Sequence, residues 1–267
     1  MLSLHTNAAS LSTQNSLSST QKSLTTSMTR LGTGYRVNSA MDDAAGLQIA
    51  TRLDAQTRGM AVAQKNTQNG ISMLQTADGA MSEVSNILLR MKDLATESAN
   101  GTSNTDDKAA LKAEFDQLSA EITNIMGNTT FGGAKLLTGG TLAGAVDFQI
   151  GATSAEVYSV DVSASLGAVT APTAIGAAAD IDTIDTALKN VGTLRSAIGA
   201  AANRLDHVYN NLQNISTNVS AARGRIMDTD YATESSTMTT KQMLLQSGTA
   251  MLKQSNSMAG LVTSLLG

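Results

Sequence analysis

Two adjacent carboxylates, Asp42 and Asp43, are the residues of this 267-residue chain best suited by type to acid–base or metal chemistry. Such chemistry needs converging partners: a second acid at a working distance, or His and Cys side chains to complete a ligand set. None lies near them in sequence. The chain has two histidines, His5 and His207, no cysteine, and no H-E-x-x-H pattern. Its abundant serines and threonines include no G-x-S-x-G elbow. Glycines at 132–140 match neither a phosphate loop nor a dinucleotide fingerprint and read as turns. Adjacent carboxylates just ahead of a helix are favoured by its dipole. Asp42 and Asp43 therefore read as a helix start, with Asn38 and Asp42 helping to turn the chain. The sequence does not read as an enzyme, and it calls for no metal or cofactor.

Composition describes the elements instead. Apolar residues make up 42% of the chain and aromatics only 3%; there is no Trp, and Pro172 is the single proline. Thin bundles of long helices need few aromatics to fill them, and without proline nothing interrupts a helix many turns long. The net charge of −4 gives no electrostatic footprint for nucleic acid or an anionic membrane. No run of about 18 apolar residues predicts membrane insertion. Residues 1–20 lack the basic start and apolar stretch of a cleaved signal, so export would need another route.

Seven-residue spacing dominates the pattern. Residues 2–31 repeat Leu4, Leu11, Leu24, Met28 and Leu31 along one seam; residues 231–266 repeat Leu244/Leu245, Met251/Leu252, Met258/Ala259 and Leu265/Leu266. Such seams need another helix to cover them, so the two ends are expected to pair. Leu53, Met60, Thr67, Leu74, Met81, Leu88 and Ala95 predict a helix over 44–99, about 80 Å long. Asn100-Gly101 is expected to end it in a left-handed cap. A second helix follows from N-cap chemistry at 103–107 to Gly127 through Leu111, Phe115, Leu118, Ile122 and Ile125. Alternation at Val146/Phe148/Ile150 and Tyr158/Val160/Val162 predicts a strand pair at about 140–165, and helical spacing resumes from Ile181 to Val219. The expected fold is mainly α: a long antiparallel helical bundle or coiled coil, paired terminal helices, and a small β-hairpin region at the far turn.

The stretch Arg30–Leu53, with Asn38-Ser39-Ala40 and Asp42-Asp43-Ala44-Ala45-Gly46-Leu47, resembles the N-terminal signature of bacterial flagellins. Asp228–Glu234 and Leu261–Leu266 resemble the C-terminal signature, and 97–102 and 131–137 fit as well. Only 140–178 stands where most flagellins insert large variable domains, so the chain is similar to a short flagellin. The resemblance implies a subunit that polymerises into the extracellular flagellar filament. Residues 1–40 plus 231–267 would form the polymer core and 44–228 the surrounding bundle. It further implies partners: the export apparatus, an export chaperone, the filament cap, hook–filament junction proteins and the innate immune receptor for flagellin. Arg90, Leu94 and Glu114 occupy the receptor-motif positions. Rival readings are a hook–filament junction protein and a secreted coiled-coil effector. Both ends are expected to be mobile in the monomer and to become helical only when packed in the polymer, and flexible Met251 and Met258 to let packed subunits slide.

Overall fold

The structure, a computed structural model, describes residues 7–266; the side chains of Ala178 and of residues 258–266 are outside the description. Five long helices dominate: α1 (Ala8–Thr33), α2 (Ala44–Ser98), α3 (Thr105–Asn128), α5 (Ala178–Met227) and α6 (Tyr231–Leu266); α4 (Ser163–Gly167) is a single turn. Packing divides the chain into two units, Met1–Ala55 with Val219–Gly267, and Gln56–Asn218. The division falls inside α2 and α5 rather than at the 40–44 and 228–231 breaks. Breaks in helical spacing mark turns, whereas a continuous helix can exchange packing partners along its length.

The middle unit is a three-helix core. Along α2, Leu74, Ala77, Met81, Val84, Leu88, Met91 and Ala95 are each 1% exposed or less, which is the a/d seam that the spacing predicts. Phe115 and Ile122 of α3 and Ile184, Val191, Leu194, Ile198 and Leu205 of α5 join the cluster, together with Leu136, Leu137, Leu142, Val160, Val162, Leu166 and Val169 from the segment between those helices. Thr67 is the polar member of the α2 seam. Its hydroxyl donates to the Ala63 carbonyl at 2.8 Å, so no buried polar group is left unpaired there. Asn104 caps α3 in a reciprocal box with Asp107.

The turn between α2 and α3 departs from expectation. Gly101 is not left-handed; α2 ends at Ser98 and the Asn100 N–H donates to the Glu97 carbonyl at 3.1 Å. That tightened bond satisfies a terminal carbonyl without a left-handed residue. Two antiparallel hairpins follow. In β1 (Thr130–Phe131) and β2 (Ala134–Lys135) the turn is Gly132-Gly133, both at positive φ, as a two-residue hairpin turn requires. In β3 (Val146–Gln149) and β4 (Val157–Val160), Val146 pairs with Val160 and Phe148 with Tyr158.

The helix glycines explain how β3–β4 lies against α2. A Cβ at Gly70 would come within 2.8 Å of the Phe148 ring, and one at Gly59 within 2.7 Å of the Ala152 methyl. Each glycine costs the helix about 1 kcal/mol against alanine, which the close approach of the hairpin offsets. Asn66 Nδ2 donates to the Gln149 carbonyl, and the Arg204 guanidinium stands 4.2 Å from the centre of the Tyr158 ring.

Candidate assembly surface

The candidate surface is built on α1 and α6, which run antiparallel. Asn7 Nδ2 donates to the Ser255 carbonyl at one end of the pair, and the Tyr231 hydroxyl donates to the Leu31 carbonyl at the other. Arg30 stands 3.6 Å from Glu234 beside the second contact. The shared seam is half polar. On α1 it runs Ser10, Thr13, Leu17, Thr20, Leu24, Ser27 and Leu31; on α6, Met238, Lys241, Leu245, Gly248, Leu252 and Ser255. A Cβ at Gly248 would sit 3.1 Å from the Leu17 side chain, so glycine there admits the leucine.

This arrangement splits the apolar residues that the spacing had grouped. Leu24, Leu31, Leu245 and Leu252 turn toward the seam, with Leu24 only 6% exposed. Leu11 (55%), Met28 (46%), Leu244 (50%) and Met251 (61%) face outward. Leu4 lies outside the described residues, as do the side chains of Met258, Leu265 and Leu266. Paired apolar positions such as Leu244/Leu245 span about 100° of a helix, so a single partner covers one and leaves the other.

Sequence reasoning passed over other uncovered residues. Met243 is 58% exposed and Met41 is 97% exposed. Beside Met41, Ala40, Ala44, Leu47, Thr51, Arg52 and Ala55 line an open groove of about 480 Å³. Ala44, Leu47, Thr51 and Ala55, spaced three, four and four apart along the start of α2, were the legible signal for that groove.

Asn38, Asp42 and Asp43 build the turn that leads into α2. One Asp42 carboxylate oxygen accepts from the Ser39 N–H (2.9 Å), the Asn38 N–H (3.0 Å) and the Ser39 hydroxyl (3.1 Å). The Ser39 and Asn38 amides together hold its pKa below the usual carboxylate value. Asp43 caps α2 by accepting from the Gly46 N–H at 2.8 Å, and a Cβ at Gly46 would collide with that carboxylate. Nearby, Arg36 N donates to the Met227 carbonyl and Thr229 N to the Gly34 carbonyl, tying the segment after α1 to the one before α6. Val37, Ala50 and Met227 form a small core under these bonds. Asp230 caps α6; the Thr233 hydroxyl and the Ala232 amide lower its pKa.

In the middle unit, Arg90 and Glu114 form an exposed pair, with Nε and Nη2 at 2.9 and 2.7 Å from one carboxylate oxygen. Leu94 does not belong to that surface. It is 1% exposed and packs in the core, because it adjoins the a/d seam at Ala95. The exposed apolar side chain of this stretch is Leu89, at 48%.

Long helices, heptad seams and apolar side chains left uncovered on a helix pair define a coiled-coil structural protein. Comparisons with known proteins make the class specific. Residues 4–141 match the bacterial flagellin N-terminal helical region and residues 181–266 the C-terminal helical region. A flagellin of Halalkalibacterium halodurans is 42% identical over 247 residues, 90% of each chain. Flagellin B of Vibrio cholerae is 31% identical over an alignment of 376 positions that spans both chains in full, so it is the longer protein. A solved Vibrio parahaemolyticus protein assigned as flagellar hook-associated shares the fold alone: TM-score 0.56 and 17% identity, over 70% of this chain and all of that one. The chain belongs to the bacterial flagellins. It is a structural subunit of the extracellular flagellar filament, and the hook-junction reading is not favoured.

Proposed function

We propose that assembly proceeds by burial of the outward faces of α1 and α6 against identical copies. The observation that carries this reading is the exposure of Leu11, Met28, Met243, Leu244 and Met251 on a helix pair that covers one face of each helix. Since these side chains are already about half covered, burying the rest against a neighbour contributes roughly half of the 1.5–3 kcal/mol that full burial of such a side chain gives. A repeated head-to-tail contact that does not close on itself gives a helical polymer. Residues 1–40 with 231–267 act as the polymer core and 44–228 as the layer around it. The terminal helices gain much of their order in the polymer, where their second faces find partners.

The test is the double substitution Leu244→Glu with Met251→Glu. Both side chains are already half exposed, so helicity of the monomer is expected to hold. Filaments seen by electron microscopy after seeding are expected to disappear. Filaments of ordinary length from the double variant would overturn the proposal.

Further partners are proposed from family membership: the flagellar export apparatus, an export chaperone, the filament cap and junction proteins. The innate immune receptor for flagellin would meet Arg90 and Glu114, with Leu89 rather than Leu94 as the apolar contact. A receptor reporter assay with Arg90→Ala checks this, and unchanged signalling removes Arg90 from the contact.

A further inference from the structure

We propose that Asn100 is a site of spontaneous backbone-assisted deamidation, marked out from the chain's other Asn-Gly pair by the geometry of its turn. The two pairs are Asn69-Gly70 and Asn100-Gly101. Both asparagines are exposed, so solvent access does not separate them. Their backbones do. Asn69-Gly70 lies within α2, where the Gly70 N–H belongs to the helix ladder and its Cα is packed beneath Phe148 and Leu205. Asn100-Gly101 lies beyond the end of α2, and the Gly101 N–H donates to no acceptor among the described residues.

The side chain of Asn100 is also held for the reaction. Its Oδ1 accepts from the Thr102 N–H at 3.3 Å, closing an Asx turn that folds the amide over the Gly101 peptide. Hydroxide removes the Gly101 amide proton, and that nitrogen bonds to Asn100 Cγ. Negative charge collects on Oδ1, the atom facing the Thr102 N–H, as in an oxyanion hole. The bond from Cγ to Nδ2 then breaks and, with a proton from water, ammonia leaves. The cyclic imide opens with water at either carbonyl, giving aspartate or isoaspartate. In sum, an amide and water become a carboxylate and ammonium. Gly101 presents no Cβ to the attacking geometry, and a Cβ there would meet nothing within 4 Å. The product adds a negative charge at the C-terminal end of α2, close to Glu97, where the helix dipole disfavours it.

Full-length protein is incubated in mildly alkaline buffer and mapped by peptide mass spectrometry, with electron-transfer fragmentation to locate isoaspartate. In the native protein, conversion at Asn100 is expected to run at least about tenfold faster than at Asn69, because the helix must open before Gly70 can attack. In denaturant the two rates are expected to converge to within about threefold, since the dipeptide is the same. Equal native rates overturn the proposal. So does a tenfold ratio that persists in denaturant, which assigns the difference to local sequence rather than to the turn.

Discussion

Between Leu74 and Ala95, α2 buries eight apolar side chains to 1% exposure or less, while α1 buries Leu24 and Ser27 and α6 buries none of its described side chains. Both regions follow the same seven-residue spacing. The difference lies in how many neighbours each seam has. In the middle unit, buried side chains of α3, of α5 and of the segment between them join the α2 seam in one cluster. In the terminal unit one helix faces one helix, so half of each apolar stripe stays in water. Heptad spacing thus says where a seam runs; burial depends on a third partner. For the middle unit that partner is within the chain, and for the terminal unit we propose that it is another copy.

The largest effect expected from this contrast is at Phe115, which is fully buried. Phe115→Ala removes a ring from a closed core and is expected to cost about 3–5 kcal/mol. Leu24→Ala, on the two-helix seam, is expected to cost about 2 kcal/mol and to loosen α1 and α6 alone. Thermal unfolding followed by circular dichroism checks both. A larger loss at Leu24 than at Phe115 would reverse the ranking of the two units.

Hydrogen exchange on unassembled protein sharpens the same comparison. Amides of α1 and of α6 around Leu245–Leu252 are expected to exchange at least about a hundredfold faster than those between Leu74 and Ala95. Assembly is expected to slow the terminal helices and leave the middle bundle unchanged. Equal protection in both units before assembly would break the link between packing partners and order.

Much of this was legible in the sequence, and the reasons are physical. The a/d seam of α2 and the alternation at Val146/Phe148 and Tyr158/Val160 depend on local periodicity, which the chain states outright. The burial of Leu94 was not legible, because a seam at Ala95 does not say whether the residue beside it is covered as well. Nor was the separation of Leu244 from Leu245, since a pair of adjacent leucines does not say which one faces the single partner. The role of Gly70 depends on Phe148, some eighty residues away, and local pattern carries no such information.

Gly70 and Gly79 turn that last point into a smaller prediction with opposite signs. Gly79 has open space around its Cα, so Gly79→Ala is expected to gain up to about 1 kcal/mol from helix propensity. Gly70→Ala gains the same propensity but drives a methyl into the Phe148 ring, for a net loss of about 1 kcal/mol. Denaturant midpoints of the two variants check the signs. Stabilisation by both would mean that the hairpin yields to the added methyl.

The smallest effect expected is the pH response of the helix start at Asp230, in the terminal unit. The Thr233 hydroxyl and the Ala232 amide favour its charged form, so its folded pKa lies below the unfolded value. A depressed carboxylate contributes stability that is fully present above the unfolded pKa, near 3.9, and is lost as pH falls through the lower folded value. Asp230→Asn keeps an N-cap oxygen without the titration. Its α6 should therefore lose less helicity than wild type between neutral and strongly acidic buffer, with a slightly lower helicity at neutral pH where the charge no longer meets the helix dipole. The carboxylate is exposed, so the difference is expected to shrink in high salt. Hydrogen exchange across Tyr231–Thr240 resolves this from the middle unit, where Glu156 and Asp161 have lowered pKa values from their own local bonds. If acid destabilises α6 identically in both proteins, the cap is not where the terminal pair senses pH.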